Sequence, residues 1–276
     1  MNFTKMHGCQ NDFVFINCMN EDLSQFDLND LARRLCDRRL GVGADGLILV
    51  RPTDKADAFM QIFNADGSED TMCGNGIRCT AKYVYDHNII PAERSHTSIA
   101  TADGVKEIDL TINNGKVEIA RVNMGIPRIT SKLPEAINVN GLDLKFYGID
   151  DGTDHAVYFI EDNPAINGIN SWADSDFAKL GVYFETHERF PNRTSSDFIE
   201  IISRNEINMR VFERGCGETM ACGTGATASV FAGVLSGKLN NDVLVHLRGG
   251  DLRIQVDGDK FCYLIGPAVE VFAGEF

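Results

Sequence analysis

The 276-residue sequence sets 26 Lys and Arg against 40 Asp and Glu, for a formal net charge of −14 and an isoelectric point near 4.8. That balance argues against a nucleic-acid binder, which needs clustered positive charge to displace counterions from phosphates. With 43% hydrophobic and 24% charged residues the composition is that of a globular protein. The length is where a single core gives way to two, so two domains of roughly 120–150 residues are expected.

The N-terminal MNFTKMHGCQNDFVFIN has no basic segment leading into an apolar one, and no uncharged apolar run reaches the ~18 residues that span a bilayer. A cytosolic protein with no membrane partner is predicted. Eight cysteines, Cys9, Cys18, Cys36, Cys73, Cys79, Cys216, Cys222 and Cys262, are too sparse over this length for a disulfide framework. Reduced thiols are expected, and any special one is catalytic or metal-binding.

The first clear element is a helix. Asp27 is an N-cap before an apolar stripe of Leu28, Leu31, Ala32, Leu35 and Cys36, stopped by Gly41. Strands are read at 47–51, 58–64, 106–112 and 116–122, the last two joined through Asn114-Gly115, a hairpin signal. Further strands follow at 155–160, 197–203, 207–213, 243–247, 251–256 and 261–265. Strands adjoin strands more often than they alternate with helices, which points to antiparallel or mixed sheets.

The pattern also repeats. With Met60 laid on Met209, an offset of 149, MQIFNADGSEDTMCGNG at 60–76 aligns without a gap on MRVFERGCGETMACGTG at 209–225. Met, Phe, Glu, Cys, Gly and Gly recur at 60/209, 63/212, 69/218, 73/222, 74/223 and 76/225. Each copy reads as a strand, a ten-residue step from its Phe to Cys-Gly-x-Gly, then a helix. The second helix, 225–237, is small and apolar on nearly every face, as in a helix buried all round. Two homologous halves are predicted, each a sheet folded around a central helix.

A helix N-terminus presents free N–H groups and partial positive charge, and glycines let a ligand reach the backbone. Gly74-Asn75-Gly76 and Gly223-Thr224-Gly225 can therefore hold a carboxylate, while a thiol at the same turn has its thiolate stabilised. Two such turns on either side of one anion suit removal of an α-proton from one face of an amino acid and its replacement from the other. Three plainer readings compete. Cysteines are commonly small buried hydrophobes, the reading preferred for Cys9, Cys18, Cys36, Cys79 and Cys262. Zinc is disfavoured because Cys73/Cys79 and Cys216/Cys222 each enclose five residues and no paired histidines accompany them. A phosphate loop is disfavoured because Gly41–Gly46 follows a helix and precedes a strand.

At these residues the chain resembles the diaminopimelate epimerase family. The resemblance is carried by KMHGxxNDFxxI at 5–16, GVGADGL at 41–47, IFNADGSE at 62–69, CGNGIRC at 73–79, VNMG at 122–125, HERFPNRT at 187–194, VFERGxGET at 211–219 and ACGTGA at 221–226. It runs nearly end to end. It implies an α+β fold of two pseudo-symmetric domains, each a mostly antiparallel or mixed sheet wrapped around a central helix. Residues 1–122 with 267–276 would form the half carrying Cys73, and residues 123–266 the half carrying Cys222.

The resemblance further implies interconversion of LL- and meso-diaminopimelate, a step toward lysine and peptidoglycan precursors, with no cofactor or metal. Cys73 and Cys222 would be the acid/base pair, with the reacting carboxylate on the amides of Gly74, Asn75, Gly223 and Thr224. The distal amino-acid end would be read by Asn11, Asn64, Glu213 and Arg214, and Glu213 and His155 would assist the thiols. The only partner implied besides a small amino acid is a second copy of the chain.

Three departures bear on the distal end. The family has Asn-Pro-His where this chain has Thr153-Asp154-His155, Asn where it has Ser195, and Gly where it has Gln10. A hydroxyl offers one donor where an amide offers two, and Asp154 adds negative charge. The Arg214 fork still favours a second carboxylate. A racemase of another amino acid with an altered distal pocket is thus the alternative, and a non-catalytic thiol or metal-binding protein a third reading.

Overall fold

Helix α1, Leu28–Cys36, begins where Asp27 accepts from the backbone N–H of Asn29 and Asp30, and it buries Leu31, Ala32, Leu35 and Cys36. It is the first helix in a computed structural model that describes residues 1–276. The chain divides into two compact units, Met1–Asn123 with Ile265–Phe276, and Met124–Leu264.

In the first unit, strands Asn2–Gly8 and Asn11–Asn17 form an antiparallel hairpin. Through α1 the chain returns parallel to it as Gly46–Arg51, which pairs antiparallel with Ala58–Asn64. The short strand Glu69–Asp70 folds back on Ala58–Asn64 and leads into helix α2, Gly74–Asp86. That helix is buried from Gly74 through Tyr85. Beyond it, His96–Thr101 runs parallel to Ala58–Asn64, with Gly104–Asn113 antiparallel beside it. The C-terminal strand Val269–Glu275 closes this unit by pairing antiparallel with Asn2–Gly8.

The second unit repeats the plan. Leu142–Asp150 and Asp154–Phe159 are antiparallel, and after helix α3, Asp174–Glu185, strand Ser195–Ser203 returns parallel to Asp154–Phe159. Glu206–Glu213 pairs antiparallel with it, Gly217–Glu218 folds back, and helix α4, Gly223–Leu235, follows. Asp242–Leu247 then runs parallel to Glu206–Glu213, with Gly250–Val256 antiparallel beside it. Helices α2 and α4 start and stop at residues 149 apart. The register agrees too: Leu47 faces Phe63, and Ser196 faces Phe212.

Their cores differ in chemistry. The first unit packs α1 through Leu31 and Leu35 against Val14, Ile16, Leu47, Leu49 and Phe63. The second packs α3 against rings, with Phe177 and Phe184 edge-on to Phe198 and Tyr158 stacked on Phe198. Gly181 is obligatory in α3, since a Cβ there would lie 2.1 Å from the Phe212 ring. No helix is long and apolar enough to cross a membrane.

Candidate active site

Each Cys-Gly-x-Gly turn opens a central helix with its cysteine as the N-cap. Cys73 is extended (φ −140°, ψ 121°) and its Sγ accepts from Gly76 N–H at 3.5 Å. Cys222 is extended likewise (φ −123°, ψ 113°), with Sγ accepting from Gly225 N–H at 3.4 Å. The thiol takes the place of the usual cap oxygen, so one free N–H of the first turn points at each sulfur. That bond and the helix dipole both favour a thiolate. A Cβ at the third helix residue would crowd its neighbours in both: at Gly76 it would lie 2.9 Å from the tip of Ile48, and at Gly225 2.5 Å from the Asp197 carboxylate.

Around half-buried Cys73 the groups are amides. Its Sγ lies 3.6 Å from Asn11 Oδ1, which also accepts from Asn75 Nδ2 at 3.1 Å. Asn75 Oδ1 in turn accepts from Arg78 at 2.9 Å, and Asn11 Nδ2 donates to Asp45 at 2.9 Å. Arg78 can only donate and a carboxylate only accept, so these ends fix the orientation of both amides between them. Arg78 is fully buried, and also donates to the carbonyls of Gly74 and Pro267. Asn64 sits in the same unit with its amide donating to Ser68 Oγ at 3.1 Å.

Around Cys222, 5% exposed, the groups are titratable. Its Sγ is 3.3 Å from Thr224 Oγ1, which is 3.0 Å from His155 Nε2, and His155 Nδ1 is 2.9 Å from Asp197 Oδ2. Glu213 is hydrogen-bonded to Cys222 and accepts from the Thr219 hydroxyl. Burial, with Glu213 and Asp197, pushes the Cys222 thiol well above its ordinary value. Burial likewise raises Glu213, which stays high despite its bonds from Thr219 and Cys222. For His155 burial opposes charge, but the Asp197 carboxylate outweighs it and the imidazole is raised.

Of the expected distal residues in this unit, Ser195 is buried and its Oγ accepts from Arg214 N–H at 3.1 Å. Thr153 and Asp154 are half-buried and Arg214 is exposed. A cavity of about 120 Å³ lies here, with Asp154, His155, Arg189, Arg193 and Thr194 among its lining. A larger one of about 540 Å³, beside Cys18, Glu21 and Arg51, touches none of the expected residues. The structure thus brings Cys73, Asn11 and Asn75 together in one unit, and Cys222, Thr224, His155 and Glu213 together in the other.

A model of the family described as diaminopimelate epimerase matches residues 3–130 and 147–271. The chain belongs to the diaminopimelate epimerase family. The diaminopimelate epimerase of Pelotomaculum thermopropionicum is 44% identical over 287 residues, covering 100% of this chain and 99% of the relative. That of Moorella thermoacetica is 45% identical over 288 residues with the same coverage. Among solved structures, a probable proline racemase from Agrobacterium radiobacter shares the fold at TM-score 0.75 and 16% identity, covering 100% of this chain and 92% of that one. A hydroxyproline epimerase from Agrobacterium vitis does so at 0.72 and 13%, covering 99% and 91%.

Asp197, Arg78 and Asp45 were not singled out from the sequence. A signal for Asp197 existed: in DFIEIIS at 197–203 its strand face is shared with Ile199, so an acid stands on a buried apolar stripe. Arg78 carried a similar signal, a charge inside an otherwise buried helix.

Proposed function

We propose that the protein is an amino-acid isomerase that interconverts LL- and meso-diaminopimelate by proton transfer between the substrate α-carbon and two thiols, Cys73 and Cys222. The observation that carries this is the pair of cysteine N-caps on equivalent helices in a chain of this family. One cysteine is thiolate and removes the α-proton; the other is thiol and returns a proton to the opposite face, and the roles exchange in reverse. The amides of Gly74, Asn75, Gly223 and Thr224 hold the reacting carboxylate and take up charge as the α-carbon becomes carbanionic. Glu213 and His155 set the protonation of Cys222.

At the distal end Arg214 pairs with the second carboxylate, while Asn11, Asn64, Thr153, Ser195 and Glu213 complete the shell. Ser195 keeps a structural bond to the Arg214 backbone, which supports that placement. Asp154 favours the second reading, a racemase of another amino acid, because it puts an acid beside the cavity next to His155.

The test is deuterium uptake at the α-carbon, followed by NMR in heavy water with reductant. LL-diaminopimelate is run beside a panel of single-centre amino acids. Exchange confined to diaminopimelate and lost in Cys73→Ala and Cys222→Ala is expected. Exchange confined to another amino acid would move the function to the racemase.

A further inference from the structure

The strand register of the two units singles out a buried polar set in one of them. His155 faces Ser195 as Phe13 faces Gly46, and the 149-residue offset puts Asp197 where the first unit has Ile48 and Thr224 where it has Asn75. Phe13 and Ile48 are ordinary core. His155 and Asp197 are as deeply buried, at 2% and 0% exposure, in positions the same fold fills with apolar side chains. Burying an acid and an imidazole there costs stability that a phenylalanine and an isoleucine would not, which marks the pair as functional. The carboxylate has one hydrogen-bond partner, His155 at Oδ2; Oδ1 has none from the protein and is pressed against Gly225.

We propose that Asp197, His155 and Thr224 form a relay that takes the thiol proton of Cys222, with Asp197 as its positioning residue. The inference rests on the two-thiol reading above. Its polarity follows from donor inventory. A carboxylate only accepts, so His155 presents Nδ1–H to Asp197 and turns the Nε2 lone pair to Thr224. The Thr224 hydroxyl donates to Nε2 and accepts from the Cys222 S–H. On transfer, the S–H bond breaks and the proton bonds to Thr224 Oγ1, while that hydroxyl's own proton passes to Nε2. A thiolate, an intact hydroxyl and an imidazolium facing Asp197 remain, and no electron changes hands. Returning the proton reverses each bond.

Glu213 and Asp151 also face His155 electrostatically, and Glu213, Asp197 and the Gly225 N–H face Cys222. Glu213 is therefore the rival acceptor.

The experiment compares full-length parent, Asp197→Asn, Thr224→Val and Thr224→Ser in two measurements that need no substrate. Nitrogen-15 NMR of the imidazoles reads the His155 tautomer. The ultraviolet thiolate titration of Cys222 is taken in a Cys73→Ser background as the difference made by Cys222→Ser. In the parent His155 is expected as Nδ1–H. Asp197→Asn moves it to Nε2–H, because an amide can donate to Nδ1.

The Cys222 titration should shift upward by about one pH unit or more, a tenfold loss of thiolate, in Thr224→Val. Serine at 224 should recover most of the shift. A Cys222 titration unmoved by Thr224→Val, or an unchanged tautomer in Asp197→Asn, overturns the relay and leaves Glu213 as the acceptor. If Asp197→Asn fails to fold by circular dichroism, the Val and Ser pair at 224 decides alone. A parent that shows these shifts but exchanges no α-proton of diaminopimelate supports the relay and overturns the substrate reading instead.

Discussion

Cys73 and Cys222 cap helices of equal length at equivalent points of one repeated strand–turn–helix plan, yet their surroundings differ in kind. The first thiol lies among amides oriented between a buried arginine and an aspartate; the second touches a glutamate and a threonine backed by a histidine and an aspartate. The backbone repeat supplies the same cysteine-capped helix N-terminus twice. The side chains then specialise the two ends. Amides hold position across the pH range, whereas Glu213, His155 and Asp197 make the second thiol's proton depend on several titrations at once.

The largest effect that tests the pairing is loss of either sulfur. Cys73→Ala and Cys222→Ala are each expected to lower epimerisation at least about a thousandfold, with the circular dichroism of the parent. Full turnover in either variant would break the symmetry of roles. Mild exhaustive oxidation comes next. The proposed mechanism requires both thiols to reach one carbon, and thiols so placed would join, so activity should vanish on oxidation and return with reductant. Activity that survives would separate them.

Glu213→Gln sharpens the contrast in charge. It should cost about a hundredfold in kcat and move the titration of Cys222. The negative Glu213 helps to hold that thiol above its ordinary value, so removing the charge lets the thiolate form at lower pH. The limb of the bell-shaped pH profile that reports Cys222 is expected to shift to lower pH, and a shift to higher pH would reject this account.

A smaller effect concerns how the first turn is braced. Asp12, beside Asn11, bonds Lys5 at 2.6 Å and Arg38 at 2.7 Å, and Arg38 also bonds Asp45 at 2.7 Å. Burial opposes the Asp12 charge, but Arg38 and Lys5 outweigh it and hold the carboxyl at about 2, against 3.8 in the free group. The folded value is the lower one, so the stabilisation is full above about 3.8 and fades as pH falls toward about 2. Asp12→Asn should remove about 1 kcal/mol of stability at neutral pH and flatten the urea midpoint between about pH 4 and pH 2, where the parent's falls. Smallest of all, Thr153→Asn with Ser195→Asn is expected to change kcat/KM for diaminopimelate by about threefold or less; a gain much above that would mean the hydroxyls had weakened the distal shell.

Much of the fold was legible because its signals are local. The Asp27 cap and its stripe gave α1, and the Asn114-Gly115 turn joins Gly104–Asn113 to Lys116–Gly125 as expected. The opening hairpin was not legible. Its turn is Cys9-Gln10, both at positive φ (51° and 66°), where glycine or asparagine would have announced it. Helix α3 was missed because Gly181 interrupts it for the sake of the Phe212 ring, a contact 31 positions away in the chain.

The site divides in the same way. An N-cap is settled within four residues and an internal repeat by counting, so the sequence by itself determined the two thiols, their helix ends and the family. The partners of each thiol depend on strand register and crossover direction, which place His155 and Asp197, 42 residues apart, at 2.9 Å. Only the tertiary structure decided that one thiol would sit among amides and the other among acids. Side chains drawn from separate strands meet only after those strands have paired.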